Sequence, residues 1–453
     1  MKRLIFKTLL AWARADKHDP LLLRGARQVG KTYIVEQFAR QYFPHFVNIN
    51  FELQPEFKAC FNRLDPYAII TSIAALKRQA IVPNETLLFL DEIQQCPQAI
   101  VALRYFKENM PQLHVIGAGS LLEFTLNDEN LQMPVGRIQS LYVKPLSFRE
   151  FLMANDYDQI IDVLTQATLQ SGVPDAIHQE LERCLREYFV LGGMPEVVAD
   201  YLQKKDLIQS QMKQTSLLNI YRSDFGKYAS KTKHKYMQVL FDKVPGLIGA
   251  QIQFQKIDAD VHSRELKEAL GYLCNAGIIH CVYHSSASGL PLKSLINEKK
   301  FKLIFLDIGL INASGYLDPY LMLNENLMMV NRGALAEQFV GQELLACTAD
   351  YLPGELFYWQ REKTGSMAEV DYVINVDSQI VPIEVKSGKT GTLRSLQVFL
   401  DEKKLPFGVR LSLKPLEFHN RVLSVPLYMI QELPRLVREL RQSILIANKD
   451  ARS

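Results

Sequence analysis

Residues Gly25 to Thr32 read GARQVGKT, between the apolar run Leu21-Leu22-Leu23 and the helix-like segment Tyr33-Ile-Val-Glu-Gln-Phe-Ala-Arg40. The octet fits the pattern G-x-x-x-x-G-K-[ST], and a strand feeding a glycine-rich turn and then a helix is the context that gives this pattern a mechanism. Glycines let consecutive backbone N–H groups wrap phosphate oxygens, Lys31 reaches the β- and γ-phosphates, and the Thr32 hydroxyl is placed to ligate Mg²⁺. Gly25, Ala26, Arg27, Gln28, Val29, Gly30, Lys31 and Thr32 are therefore the expected cradle of a nucleoside triphosphate, with ATP and Mg²⁺ as the expected ligands.

The second half of such a site is read at Thr86-Leu-Leu-Phe-Leu-Asp-Glu-Ile93. Four apolar residues followed by two acids describe a buried parallel strand whose C-terminal end delivers carboxylates to the crevice where open α/β sheets bind ligands. Asp91 is expected to hold Mg²⁺ and Glu92 to polarise the attacking water. A third strand, Leu113-His-Val-Ile-Gly-Ala-Gly-Ser120, ends in Ser120, which is either a sensor of the γ-phosphate or an ordinary turn serine. Arg137, in Met133-Pro-Val-Gly-Arg137, is either a charge-neutralising finger for the γ-phosphate, in its own site or a neighbour's, or a solvent-facing arginine.

Taken together, GARQVGKT, LLFLDEIQ, HVIGAGSLL, VGRIQSLYVKPLSFREF (Val135 to Phe151) and GGMPEVV (Gly192 to Val198) resemble the prokaryotic AAA-type ATPases that carry a C-terminal domain of unknown function. The resemblance spans nearly the whole chain, and PLSFREF and GGMPEVV are more specific than the phosphate loop. It implies an ATPase core, then a winged-helix-like segment, then a restriction-endonuclease-like segment.

Composition agrees with several domains. The 453 residues are 48% hydrophobic and 22% charged, enough for two to four domains with full cores. The formal net charge of +3 permits nucleic-acid contact through local patches without arguing for it. Cys60, Cys96, Cys184, Cys274, Cys281 and Cys347 form no C-x-x-C pair and show no matching histidine spacing, which indicates neither a zinc site nor a disulfide framework and makes the reducing cytoplasm the expected compartment. After Met1-Lys2-Arg3, Lys7 and Arg14 interrupt the apolar stretch before a secretory core forms, so a short amphipathic helix is expected there. No apolar run approaches the ~20 residues of a bilayer span, so no membrane partner is expected.

The periodicity divides the chain into four parts: an α/β core with a parallel sheet (residues 1–151), a helical lid (152–215), a winged-helix-like segment (216–306) and a nuclease-like α/β domain (307–453). Within the third part Ser263 reads as the N-cap of an amphipathic helix with Leu266, Leu270 and Leu273 on one face. The strand-like pieces Ile278 to Tyr283 and Lys302 to Leu306 follow it. Ser263, Arg264 and Lys267 would then face DNA; because Glu265 and Glu268 share the helix, a protein-binding spacer is the competing reading.

The last constellation is Glu369-Val-Asp371 followed by Val381-Pro-Ile-Glu-Val-Lys-Ser387. The two-residue period of a strand sets Glu384 and Lys386 on one face, and an adjacent strand presents Asp371. An acid followed by acid-x-lysine is the signature of a nuclease superfamily in which the carboxylates hold Mg²⁺ and the lysine orients or deprotonates water. Glu337, in the helical stretch Gly333 to Glu343, matches the acid that this superfamily often takes from its first helix. Valine rather than proline precedes Asp371, and a purely structural role for the fold stays open. Two function classes result: an ATPase that controls Mg²⁺-dependent DNA cleavage, and a nucleotide-dependent switch that holds DNA or a protein partner, as monomer or homo-oligomer, without cutting.

Overall fold

The computed structural model describes residues 1–120, 122–126, 136–227, 231–258, 260–315, 318–323, 332–362, 368–388 and 392–450. Of the stretches quoted above, Leu121 and Met133 to Val135 lie outside these residues.

Five strands, β1 (Leu21–Arg24), β2 (His45–Asn50), β3 (Thr86–Asp91), β4 (His114–Ala118) and β5 (Gln139–Tyr142), form a parallel sheet in the order β2-β3-β4-β1-β5. Every residue of β3 and β4 is buried, as expected when helices cover both faces of a parallel sheet. The two-residue period sorts the side chains. Leu21, Leu23, Leu87 and Phe89 pack on one face with Ile34, Val35 and Phe38 of the helix Lys31–Tyr42. Leu22, Leu88 and Leu90 pack on the other with Ile100, Leu103 and Phe106 of the helix Pro97–Asn109. The phosphate loop and both acids thus emerge at the C-terminal edge of the sheet, with β4 between the strands that carry them. The expected N-terminal amphipathic helix is Phe6–Ala13, burying Leu9 and Trp12.

Five helices follow: Phe148–Ala154, Asp158–Gln166, Asp175–Leu191, Pro195–Lys204 and Leu207–Asp224. The first explains PLSFREF. The Ser147 hydroxyl accepts from the Glu150 N–H at 3.2 Å while the Ser147 N–H donates to Glu150 at 3.1 Å, a reciprocal capping box. The other carboxylate oxygen of Glu150 takes Arg3 Nε at 2.9 Å and the Leu4 N–H at 2.7 Å, which fastens the N-terminus to this turn. GGMPEVV is a crossing of segments. The Gly193 N–H donates to Asp307 at 2.6 Å, the Gly193 carbonyl accepts from the Leu146 N–H at 2.7 Å, and Gln342 Nε2 donates to Tyr188 and Asp307 at 2.9 and 3.3 Å.

The C-terminal half holds two further sheets. β6 (Ile279–Ser285), β7 (Ile296–Phe305), β8 (Leu356–Gln360) and β9 (Glu369–Val370) are ordered β7-β6-β8-β9. β10 (Tyr372–Val376), β11 (Gln379–Val385), β12 (Gly408–Ser412), β13 (Glu417–His419) and β14 (Val422–Pro426) are ordered β10-β11-β12-β14-β13. β6 and β7, which hold the two strand-like pieces, pair antiparallel, but β6 also pairs in parallel with β8, so this ribbon and the C-terminal region share one sheet across residue 306. β7 starts six residues before Lys302 because its first half is solvated and lacks an apolar face. The helix Ser263–Asn275 buries Leu266, Leu270 and Leu273 as expected, but His262 occupies its cap position and no side chain caps it; Ser263 is the first helical residue. Among the described residues no helix is long and apolar enough to cross a membrane.

Candidate nucleotide site and C-terminal carboxylate cluster

The phosphate loop needs its glycines for space and for conformation. Gly25 has φ +139°, and a Cβ there would lie 2.1 Å from the Val143 carbonyl oxygen. Gly30, at φ +92°, is the left-handed cap of the helix Lys31–Tyr42 and brings no side chain to its first-turn N–H groups. Those N–H groups have no partner within the helix and suit an anion. Lys31 is buried, with Nζ donating to the carbonyls of Gly25 and Ala26 at 3.0 and 2.8 Å. Burial pulls its pKa down to about 8 although Glu92 and Asp91 oppose the shift.

The strand register brings Thr32 and Asp91 together: Thr32 Oγ1 donates to Asp91 Oδ2 at 3.0 Å, and Asn50 Nδ2 donates to the same oxygen at 3.2 Å. Burial, then Glu92, raises the Asp91 pKa above the usual carboxylate range. Glu92 is left-handed at φ 49° and accepts from Gln94 Nε2 at 2.5 Å. Ser120 follows β4 at the same edge; it is buried, and its Oγ has no hydrogen-bond partner among the described residues. A buried hydroxyl left without a partner beside a phosphate loop fits a group that completes its bonding on a ligand.

Arg137 is not brought to this loop. Gln139 pairs with Leu21, so β5 begins at the N-terminal edge of the sheet, four residues or about 13 Å along the strand from Gly25. Arg137 precedes that point and pairs with Glu108 at 3.1 Å on the surface. The expectation of a finger for its own site is corrected. Arg137→Ala should leave ATP turnover of dilute protein unchanged and shift stability by less than about 1 kcal/mol, as for other exposed pairs. A turnover loss at every protein concentration in a steady-state phosphate-release assay would overturn that placement.

Sequence reasoning missed what surrounds the loop, because these contacts come from remote segments. Arg3 Nη1 donates to the Val29 carbonyl at 3.2 Å, Arg27 is ion-paired with Asp224, and the Tyr221 hydroxyl donates to the Arg27 carbonyl at 2.7 Å. A Cβ on Gly277 would stand 3.4 Å from the Ala26 nitrogen, so the turn after the helix Ser263–Asn275 rests directly on the loop.

The C-terminal candidates converge. Lys386 Nζ donates to Glu384 Oε1 at 2.6 Å, and the Val385 N–H donates to Asp371 Oδ2 at 2.8 Å. Asp371 occupies the bend between β9 and β10 rather than a strand, and Glu337 lies on the helix Arg332–Ala346. Burial, then Asp371, pushes Glu337 up to about 8 and Glu384 up to about 7. One residue was not foreseen. Lys302 of β7 sits among the acids, with Nζ 2.5 Å from Glu369, 3.4 Å from Glu337 and 3.9 Å from Asp371. Burial works to lower the Lys302 pKa, yet these three carboxylates hold it above the usual lysine range. Among the described residues no three Asp, Glu, His or Cys side chains are disposed to hold a metal ion. The expected Glu337, Asp371 and Glu384 metal set therefore does not fit a divalent ion in this arrangement.

The sequence matches three family models: an AAA domain over residues 17–152, a domain of unknown function (DUF8612) over 182–320, and another (DUF4143) over 332–429. Residues 17–152 thus match an AAA domain, and the phosphate-loop pattern Gly25 to Thr32 lies within them. Solved structures with some similarity include the Aeropyrum pernix ORC2 protein in ADPNP-ADP complexes, at 13% identity over 69% of this chain and 91% of that one, TM-score 0.34. They also include the A. pernix ORC1 protein in complex with DNA, at 12% identity over 70% and 91%, TM-score 0.28. The Thermotoga maritima RuvB Holliday junction branch migration motor matches at 17% identity over 66% and 93%, TM-score 0.25. Scores this low carry no argument, and the fold rests on the strand order described above. No curated protein matches.

Proposed function

We propose that this chain is an ATP-hydrolysing switch whose AAA-type domain (residues 1–151) and helical lid (152–215) control how the winged-helix-like (216–306) and nuclease-like (307–453) parts hold DNA, without cutting it. The observation that carries the ATPase is the Thr32–Asp91 contact beside Lys31, with Glu92 next along the chain. Lys31 would hold the β- and γ-phosphates, and Thr32 and Asp91 would hold Mg²⁺, which when bound neutralises charge across those oxygens. Glu92 would take the proton of the attacking water, and Ser120 would orient it.

Arg27 and Ala26 supply the transmission. Closure of the loop on a γ-phosphate would move Arg27 against Asp224 and Tyr221, and Ala26 against Gly277, so the helix Leu207–Asp224, which runs out of the lid, and the winged-helix-like segment would feel the same event. Ser263, Arg264 and Lys267 are exposed, as a DNA-facing helix requires. All six cysteines are free, which supports a cytoplasmic setting. The cutting alternative draws on Glu384, whose second oxygen is buried beside Lys386 with no hydrogen-bond partner among the described residues.

Glu92→Gln should keep ATP binding and lose hydrolysis by about 100-fold or more, the usual worth of a general base. Fluorescence anisotropy with labelled single- and double-stranded DNA should show different affinities for this variant with and without ATP. Wild-type hydrolysis by Glu92→Gln would sink the catalytic assignment. Mg²⁺- or Mn²⁺-dependent DNA cleavage that disappears in Asp371→Ala would replace the switch with the nuclease.

A further inference from the structure

The C-terminal acids already have a cation, delivered by the wing. Lys302 lies on β7 opposite Val282 of β6 and is 5% exposed at its side chain, so its charge is almost withdrawn from water. A charge so withdrawn is tolerated only when its donors are met. Glu369 takes one donor at 2.5 Å, Glu337 another at 3.4 Å, and Asp371 stands at 3.9 Å. The ring of Tyr358 covers a further side, its centroid 5.3 Å from Nζ, in cation–π range. The acids come from different elements. Glu337 is on a helix and is anchored there by the Tyr372 hydroxyl, which donates to its carbonyl at 2.8 Å, while Glu369 begins the short β9 and Asp371 forms the bend after it. One ammonium therefore ties the wing, the helix Arg332–Ala346 and the β9 bend together.

We propose that Lys302 is the resident cation of this cluster and that it and a divalent metal ion are mutually exclusive occupants, so that β7 locks the nuclease-like fold in a metal-free form. Three carboxylates and an aromatic face around one ammonium are a complete shell for a single positive charge. An Mg²⁺ or Mn²⁺ ion needs about six oxygens around the same centre and cannot share it with an ammonium contacting the same carboxylates. The inference deepens the non-cleaving reading of the C-terminal part and does not depend on the ATPase.

The test is Mn²⁺ binding to nucleotide-free protein, followed by isothermal calorimetry and by the melting temperature, with Asp371→Asn as the reference that removes the cluster's contribution. Wild type and Asp371→Asn should give the same Mn²⁺ response. Lys302→Met should melt lower and gain a site of about millimolar affinity or tighter, with Mn²⁺ raising its melting point, and Lys302→Met/Asp371→Asn should lose that gain. Lys302→Gln, with a polar end for the same space, should behave like Lys302→Met and serves if the methionine variant does not fold. Wild-type Mn²⁺ binding abolished by Asp371→Asn would overturn the proposal, as would folded Lys302 variants with no gain in Mn²⁺ binding. An altered ATPase alone would bear on the switch and not on this site, because the assay contains no nucleotide.

Discussion

Lys31→Ala should abolish ATP binding at ordinary concentrations while the fold survives. Lys31 is the one phosphate-loop side chain with a formal charge directed at the loop's own carbonyls, and removal of one partner from a desolvated charge contact costs about 2–5 kcal/mol, roughly 30-fold to several thousand-fold in affinity. Two further readouts separate this from a folding defect. The nucleotide-free variant should melt close to wild type, because at neutral pH the protein carries the cost of burying the Lys31 charge, and the substitution removes that cost. Wild-type affinity should also fall as pH rises above about 8, where free Lys31 loses its proton and binding must take one back. A thermal melt of the nucleotide-free variant checks the first, and equilibrium dialysis with ATP across pH 6.5–9.5, in the range where roughly tenfold per unit is the limiting slope, checks the second. ATP binding by Lys31→Ala at wild-type strength would mean the loop does not hold the triphosphate.

The nucleotide half of the molecule was legible because its chemistry is local. GARQVGKT and LLFLDE each place strand, turn and functional residue within one short run, so reading the run reads the geometry; Thr32 and Asp91 meet as that reading requires. Arg137 was left between a finger and a surface charge because only the register of β5 against β1 tells which edge of the sheet it occupies, and no local pattern records register. Glu384 and Lys386 were legible through the strand period and Glu337 through a resemblance, whereas Asp371 was expected on a strand and occupies the bend between β9 and β10. Lys302 was not, since a lysine in the middle of KKFKLIF looks like any solvated strand residue until β7, β9 and the helix Arg332–Ala346 are brought together. The same limit applies to PLSFREF and GGMPEVV. Their residues were recognisable, but the reasons for them, a capping box holding Arg3 and a crossing beneath Asp307, lie between segments far apart in the chain.

Gly193→Ala should be among the most damaging single-methyl additions in the protein, and its outcome tests whether the GGMPEVV crossing holds the segments around Leu146, Gly193, Asp307 and Gln342 as one body. The added Cβ would lie 2.1 Å from the Leu146 carbonyl oxygen, which is backbone and cannot swing aside like a side chain. Relief requires the two backbones to part, which breaks the Leu146 N–H to Gly193 carbonyl bond at 2.7 Å and the Gly193 N–H to Asp307 bond at 2.6 Å. Asp307 is fully buried, its pKa already pushed up to about 6 by that burial, so loss of a donor leaves a poorly solvated carboxylate. The combined cost is expected at about 4 kcal/mol or more, in the tail of single-substitution effects. Gly271, inside the helix Ser263–Asn275 with nothing near its would-be Cβ, is the opposite case. Gly271→Ala should stabilise by about 0.5–1 kcal/mol through helix propensity alone. Thermal melts of the two variants beside wild type should therefore move in opposite directions. A Gly193→Ala protein that melts with wild type would show that the backbones at the crossing are free to separate and that the lid is not fixed through it.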